Sequence, residues 1–182
     1  MSIDERALVE QAIQHDSRAF AQLYDRYVDK IYKYIYYKTG ASASVDDLTA
    51  QVFLKAWESI GNYRWTEHPF AAWLFRIAHN LVIDYYRTRR ETVPLEDLAL
   101  EDNITPPLDE LAQSHLTSAM LRQAIAQLTE DQQQVIVLKF IDGYEIDQVA
   151  KLLGKDSRAV RSLQHRALGA LQRILSKSKA QP

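Results

Sequence analysis

The sequence predicts an all-α protein made of two small helical domains, an interpretation that depends on three observations. Apolar residues recur at three- and four-residue steps along most of the chain, only five of the 182 residues are glycine, and no stretch alternates as a β-strand does. The helical pattern fails between Thr92 and Pro107, where three prolines accompany acidic residues. We therefore expect domains at residues 1–90 and 110–182, joined by a flexible acidic linker at 91–109.

The apolar spacing places seven helices along the chain. They cover about residues 17–38, 44–60, 69–89, 108–128, 129–141, 145–153 and 156–176. Local signals support the starts: Ser44 stands where a helix cap is needed, Pro69 suits a first helical position, and Thr129 with Gln132 forms a capping-box pattern. Residues 61–68 are predicted to form a loop.

The composition favours a non-enzymatic cytoplasmic protein. Cysteine is absent, which excludes disulfides, thiol catalysis and zinc fingers. No apolar run of about eighteen residues is present, and the N-terminus lacks the basic start and apolar stretch of a signal peptide, so no membrane insertion is expected. The five histidines show no metal-ligand spacing, and no glycine-rich phosphate loop or nucleophile elbow occurs. We expect no cofactor, no metal and no catalytic residue.

The net charge of −2 conceals a strong asymmetry along the chain. Residues 91–110 contain seven acidic residues and no lysine or arginine, whereas residues 151–182 contain eight basic residues against Asp156 alone. A basic terminal segment of this kind indicates contact with nucleic acid, although a solvated helix face is the simpler alternative.

A helix-turn-helix is predicted near the C-terminus. Val149, Ala150, Leu152 and Leu153 form a short apolar face, Gly154 ends that helix, and Asp156 or Ser157 can cap the next. The second helix then offers a polar set suited to phosphates and guanine edges in duplex DNA: Arg158, Arg161, Ser162, His165 and Arg166. A helical hairpin with ordinary surface arginines is the alternative. The sequence leaves open whether Leu163 or Gln164 faces the core.

Four segments carry a family resemblance. Residues 142–168 resemble the last DNA-binding region of extracytoplasmic-function (ECF) sigma factors, and Ala19-Phe20-Ala21-Gln22-Leu23-Tyr24 resembles their opening helix. Asp46-Asp47-Leu48-Thr49-Ala50-Gln51-Val52-Phe53-Leu54-Lys55-Ala56-Trp57 resembles their polymerase-binding helix. Trp73-Leu74-Phe75-Arg76-Ile77-Ala78-His79-Asn80-Leu81-Val82-Ile83-Asp84-Tyr85-Tyr86-Arg87 resembles their promoter-melting helix. The sequence departs from the family at Ala50-Gln51, where Gln followed by an acid is common, and at Arg158, where a small residue is usual.

The resemblance implies a sigma subunit that binds core RNA polymerase, reads the minus-thirty-five promoter element as duplex and captures the opened minus-ten strand. It also implies an anti-sigma factor as a partner. On a helical wheel Leu54 lies on the outer face of the predicted helix at residues 44–60, which favours an interface there. The implied core-binding set is Asp47, Gln51, Leu54, Lys55 and Glu58, and the implied minus-ten set is Tyr63, Arg64, Trp65, Arg76, Asn80, Asp84 and Arg87.

Simpler interpretations remain open for several of these residues. Trp73, Phe75 and Ile77 are more typical of a core than of a stacking surface. Asp84 and Arg87 could form an ion pair within their helix. The acidic linker could imitate a nucleic-acid backbone inside the polymerase or serve only as a tether.

Two other classes of function are compatible with parts of the sequence. A helix-turn-helix regulator of the response-regulator output type would share the C-terminal motif, but it normally carries a domain with strands. A helical adaptor or inhibitor that binds polymerase or a sigma factor without DNA is the third class, and the basic terminal helix argues against it.

Overall fold

The computed structural model describes residues 4–39, 44–64, 69–92 and 110–179, and these ranges are helical with no β-strand. The helices are α1 (Glu5–Ile13), α2 (Ser17–Thr39), α3 (Val45–Ser59), α4 (Phe70–Thr92), α5 (Glu110–Ala126), α6 (Glu130–Ile136), α7 (Ile146–Leu153) and α8 (Ser157–Lys179). A 3₁₀ turn at Ile60–Asn62 follows α3, and a π-helical segment at Val137–Ile141 follows α6. The predicted all-α fold is confirmed. Within these ranges no helix combines the length and apolar character needed to cross a bilayer.

Two features differ from the sequence prediction. The apolar pattern gave no signal for α1, which is short and begins where the Asp4 carboxylate accepts a hydrogen bond from the Arg6 amide. The linker was predicted to include Glu91. The helix α4 extends to Thr92, so Glu91 belongs to this helix instead. The end of α4 is consistent with Pro94, because proline disfavours a helical conformation for the residue before it. The rest of the predicted linker lies outside the described residues.

The N-terminal half is organised around α2. Its buried side chains recur every three or four residues, which gives one apolar stripe facing α1, α3 and α4. Leu23 and Ile31 are almost fully buried, as are Val52 of α3 and Leu74 of α4. The apolar faces of the four helices pack against one another in this core. Their polar faces point outward.

The C-terminal half contains the predicted helix-turn-helix. Gly154 ends α7 with φ 62°, the left-handed conformation that glycine tolerates without a Cβ penalty. The Asp156 carboxylate then accepts the Ala159 amide at 2.8 Å and caps α8, and the Ser157 hydroxyl donates to Asp147 across the turn. Leu163 is buried while Gln164 is only partly covered, so the leucine faces the core.

The π-helical segment changes which side chains face outward. Val135, Ile136, Val137 and Leu138 are all buried, and the Asp142 amide then donates to the Val137 carbonyl at 2.9 Å, five residues back. The wider turn leaves Phe140 half exposed. A helical wheel at 100° per residue cannot predict the direction of the Phe140 side chain, because a π-helical turn contains more residues than an α-helical turn.

The two halves contact each other directly. The Arg122 guanidinium on α5 donates to the Tyr36 hydroxyl on α2 at 2.6 Å, and Gln134 Nε2 on α6 lies 2.9 Å from His79 Nδ1 on α4. The rings of Phe75 and Tyr144 meet edge to face with centroids 6.1 Å apart. The sequence made no prediction of this arrangement.

Candidate functional site

The outer face of α3 presents an exposed leucine among polar side chains. Leu54 is 56% exposed, and the other members of the predicted core-binding set surround it in sequence and are also exposed: Asp47, Gln51, Lys55 and Glu58. Leu48, Val52 and Ala56 on the opposite side are buried. An exposed leucine opposite a fully packed face contributes nothing to the core of its own domain, so it is available to a partner.

A tyrosine that sequence reasoning missed lies beside this helix. Tyr24 of α2 is 41% exposed and packs edge to face on Phe53 of α3, with ring centroids 4.6 Å apart. The exposed fraction shows that only one side of the ring is used for packing.

The outer face of α4 carries most of the predicted minus-ten set. Arg76, Asn80 and Arg87 are exposed, and Ile83, which is not in the predicted minus-ten set, is 45% exposed between them. Asp84 Oδ1 lies 3.1 Å from Arg87 Nη2, so these two residues form the intrahelical ion pair that was one of the two interpretations. The face therefore combines cations, an amide and one apolar side chain, a combination suited to phosphates and unstacked bases.

A cavity of about 300 Å³ opens beside the start of α4. It is lined by Asn62, Tyr63, Arg64, Pro69, Ala72, Trp73 and Arg76. Its volume is at the lower end of the range for small-ligand pockets. The cavity thus brings together residues of the predicted loop with Arg76 of the helix. No sequence pattern marked Asn62, Pro69 or Ala72 as part of a binding site, because only the tertiary structure places them around one space.

Tyr63 and Arg64 take different roles in this cavity. Tyr63 is only 6% exposed, and its ring packs against Phe70 and Trp73 with centroids 5.6 and 5.1 Å apart. Burial raises the pKa of its hydroxyl. Arg64 is exposed and donates to the Tyr63 carbonyl at 3.2 Å. Tyr63 is therefore a wall of the cavity, and Arg64 is an exposed cation at its edge. Trp65 lies outside the described residues.

The outer face of α8 carries the predicted minus-thirty-five set. Arg158, Arg161, Ser162, His165 and Arg166 are all exposed. The opposite face is buried through Val160, Leu163, Ala167 and Leu171. Because the Ser157–Asp147 contact and the Asp156 cap fix the start of α8 relative to α7, the exposed arginines are held on a rigid element.

A larger groove of about 500 Å³ lies between α5 and the end of α8, away from these three surfaces. It is the more voluminous space, yet none of the predicted site residues lines it. Among the described residues no cluster of histidine, aspartate and glutamate has the arrangement needed to hold a metal ion.

Comparison with known proteins gives two family matches. Residues 23–92 match the model for sigma-70 region 2, and residues 118–171 match the model for sigma-70 region 4. The first match contains the outer faces of α3 and α4, and the second contains the helix-turn-helix.

Curated relatives and a solved structure agree with these matches. The chain is 37% identical over 171 residues to the ECF RNA polymerase sigma factor BldN of Streptomyces coelicolor, covering 92% of this chain and 64% of that protein. It is 30% identical to the ECF RNA polymerase sigma factor SigX of Bacillus subtilis, covering 85% of this chain and 82% of SigX. It thus spans somewhat less than two thirds of BldN but most of SigX.

Two solved structures superimpose on most of the chain. CnrH, solved in complex with the cytosolic domain of CnrY, superimposes with a TM-score of 0.71 at 26% identity, covering 95% of this chain and 97% of CnrH. The sigma factor RpoE in a co-crystal with the anti-sigma factor NepR from Bartonella quintana has a TM-score of 0.63 at 21% identity, a likeness of fold alone.

Proposed function

The chain belongs to the ECF RNA polymerase sigma factors, and we propose that it binds core RNA polymerase, directs it to specific promoters and promotes DNA opening. It would carry out no catalysis itself and act in the cytoplasm, where the polymerase is. The observation that carries this proposal is the arrangement of three exposed polar faces, on α3, α4 and α8, each opposite a fully buried apolar face.

Each face is assigned one task. Residues 1–90 would form the domain for core binding and minus-ten recognition, residues 91–109 the linker, and residues 110–182 the domain for minus-thirty-five recognition. Leu54 and its polar neighbours on α3 would dock on core polymerase. The exposed face of α8 would enter the major groove of the duplex element, with the arginines on phosphates or guanine edges.

The minus-ten face would hold the opened strand. Arg76 and Arg87 would contact phosphates, Asn80 would read a base edge, and the cavity beside α4 would accept one unstacked base. The cavity supports this assignment because it joins an aromatic wall, Tyr63 and Trp73, to two cations within one small space.

An anti-sigma factor is proposed as a further partner. This proposal rests on family membership and on the resemblance of the fold to CnrH, whose structure contains the cytosolic domain of CnrY. The helix-turn-helix regulator considered from the sequence is not favoured, because the described part of the N-terminal half is helical and matches sigma-70 region 2.

The test is transcription with purified components. Core polymerase, promoter DNA and this protein should give specific run-off transcripts with no other sigma factor present. An adaptor or inhibitor would give none, and a helix-turn-helix regulator would give transcripts only when another sigma factor is added. Absence of both core binding and run-off transcription, across a set of promoters drawn from the protein's own genome, would overturn the proposal.

A further inference from the structure

The short helix α1 is joined at its start to the aromatic wall of the cavity beside α4. The Tyr27 hydroxyl of α2 donates to Glu5 Oε2 at 2.6 Å. The Tyr27 ring packs on Phe70 with centroids 5.9 Å apart, and Phe70 packs in turn on Tyr63. Because Tyr27, Phe70 and Tyr63 are all buried, this chain of contacts links the first residue of α1 to the cavity through closely packed side chains.

The Glu5 carboxylate also acts on Tyr63 electrostatically. Burial raises the pKa of the Tyr63 hydroxyl, and the negative charge of Glu5 adds to the shift. An ionised carboxylate shifts a neighbouring pKa in this way mainly when it lies within a few ångströms. Arg26 Nη1 lies 3.5 Å from the same Glu5 Oε2. Glu5 is therefore held by two residues of α2 at a position close to Tyr63.

The other end of α1 contacts the turn that leads into the cavity. His15 has φ 60°, and within the described ranges it is the one residue other than glycine with a positive φ. Its ring packs edge to face on Trp57 of α3 with centroids 5.4 Å apart. A Cβ added to Gly61 would lie 3.2 Å from His15 Nε2, so the imidazole lies directly against the middle of the Ile60–Asn62 turn.

This turn determines where the exposed cation of the cavity lies. Arg64 Nη1 donates to the Gly61 carbonyl at 3.4 Å and to the Tyr63 carbonyl at 3.2 Å. Asn62, the last residue of the turn, is itself part of the cavity lining. The turn therefore places the guanidinium, and the His15 ring supports the turn. A displacement of the turn would move Asn62, Tyr63 and Arg64 together.

The His15 contact is not needed to hold α1 in the domain. Leu8, Val9 and Ala12 are buried and attach α1 to the core, whereas His15 is exposed. A left-handed backbone is unfavourable for a residue with a side chain and persists where the surrounding contacts stabilise it, often beside a functional site. The consequence of this conformation is the contact with Gly61, and through it the position of the turn.

We infer that His15 and Glu5 are positioning residues for the base-binding cavity, which hold its turn and its aromatic wall in place before an unstacked base enters. The inference rests on the proposed function, since it concerns the cavity assigned there to the opened minus-ten strand. A cavity that is already formed does not have to be ordered when the base binds, so the base binds more tightly. His15 and Glu5 act through Gly61 and Tyr63, without contacting the base themselves.

The test uses minus-ten strands that lack one base at a time. The complex of the full chain with core polymerase is titrated with a labelled complete strand and with strands carrying an abasic nucleotide at each position in turn. In the wild type, at least one abasic position should weaken binding about fivefold or more, because it removes a stacked base. His15→Gly keeps the positive φ and removes the ring, and should weaken binding of the complete strand about two- to tenfold. At one of the sensitive positions, the abasic strand should bind His15→Gly and the wild type equally.

Matched variants separate positioning from a general effect on the fold. Gln14→Gly makes the same kind of substitution at the exposed neighbour of His15 and should bind every strand as the wild type does. Glu5→Ala should show the same pattern as His15→Gly. Glu5→Gln still offers an oxygen to the Tyr27 hydroxyl and should recover most of the affinity. Thermal unfolding shows whether each variant is folded at the assay temperature; should His15→Gly not be, the two Glu5 variants decide by the same criteria.

The possible outcomes distinguish this inference from the function on which it rests. Equal losses on the complete strand and on every abasic strand would overturn the inference, because the substitutions would then not act through the cavity. Unchanged binding of the complete strand by His15→Gly and by Glu5→Ala would overturn it as well. A wild-type complex with no sensitive abasic position would instead contradict the assignment of this cavity to an unstacked base.

Discussion

The Asp84 carboxylate and the Arg87 guanidinium pair at 3.1 Å on the exposed surface of α4, one turn beyond Asn80. Both side chains are largely solvated, so the pair adds little stability, within about 1 kcal/mol. The ion pair matters more for the proposed minus-ten face of α4, because Asp84 neutralises a cation that could otherwise contact phosphate.

Removing this carboxylate should strengthen binding of the opened strand. For Asp84→Asn we expect the complex of protein and core polymerase to bind a labelled minus-ten single strand about 1.4- to fivefold more tightly, because Arg87 no longer loses the roughly 0.2–1 kcal/mol of its ion pair when it contacts phosphate. Fluorescence anisotropy at low salt is the measurement. Asp46→Asn on α3 makes the same charge change away from this face and should have no effect; equal gains in both variants would show that only net charge matters.

The exposed leucine on α3 should control assembly with the core. Leu54→Glu is expected to abolish capture by immobilised core polymerase, because a charge would be buried in the contact. Thermal unfolding should change little, since Leu54 is not part of the folded core. Ile83→Glu replaces another exposed apolar side chain, on the proposed minus-ten face, and should still bind core. Wild-type capture of Leu54→Glu would remove α3 from the interface.

Asn80 should act in strand opening and not in duplex binding. Asn80→Ala is expected to reduce permanganate reactivity of the promoter bubble about fivefold or more, since a two-point base contact contributes about 1–3 kcal/mol. Filter binding to the closed duplex at low temperature should be unchanged. Gln22→Ala, an exposed amide on α2, is the control. Normal footprints with Asn80→Ala would mean that this amide reads no base.

Arg161 should recognise the duplex element through α8. Arg161→Ala is expected to weaken binding of the complex to the minus-thirty-five element by about 1–3 kcal/mol and to relax its sequence preference. Arg173→Ala removes another exposed arginine of the same helix, three turns on, and should have a smaller effect that is the same on every sequence. Identical losses from both substitutions would indicate a purely electrostatic contact.

The buried carboxylate at the interface between the halves should make stability depend on pH. Burial raises the pKa of Asp142 to about 7, although Lys30 and Lys33 oppose the shift. Because the folded-state pKa lies above the ordinary value, the favourable contribution is complete below the unfolded pKa and is lost as pH rises through about 7. Asp142→Asn cannot ionise, so it should raise the Tm relative to wild type at pH 8 and much less at pH 5.

Differential scanning calorimetry at both pH values measures this effect, at about 2–4 °C for each kcal/mol in a chain of this size. Asp147 and Asp131 are unsuitable as controls, because they accept hydrogen bonds from Ser157 and Lys155, so the exposed Asp25 of α2 is replaced instead, as Asp25→Asn. A gain in Tm that is the same at pH 5 and pH 8 would contradict the assigned titration.

The sequence by itself determined the all-α class, seven of the helices and the faces of α3 and α8, because each face follows from side-chain spacing within one helix. Gly154 and Asp156 were placed correctly for the same reason: helix caps are local interactions. The predicted end of α4, at about Arg89, falls three residues short of Thr92, because helix ends are marked less clearly by side-chain spacing than helix interiors.

Only the tertiary structure decided what depends on several elements at once. The cavity beside α4 gathers side chains from a turn and a helix, the π-helical segment turns Phe140 outward, and Leu163 is chosen over Gln164 by packing. The contact of His79 with Glu130 and Gln134 joins residues about fifty positions apart. Spacing within a helix carries no information about such contacts, because they depend on how two separately formed halves meet.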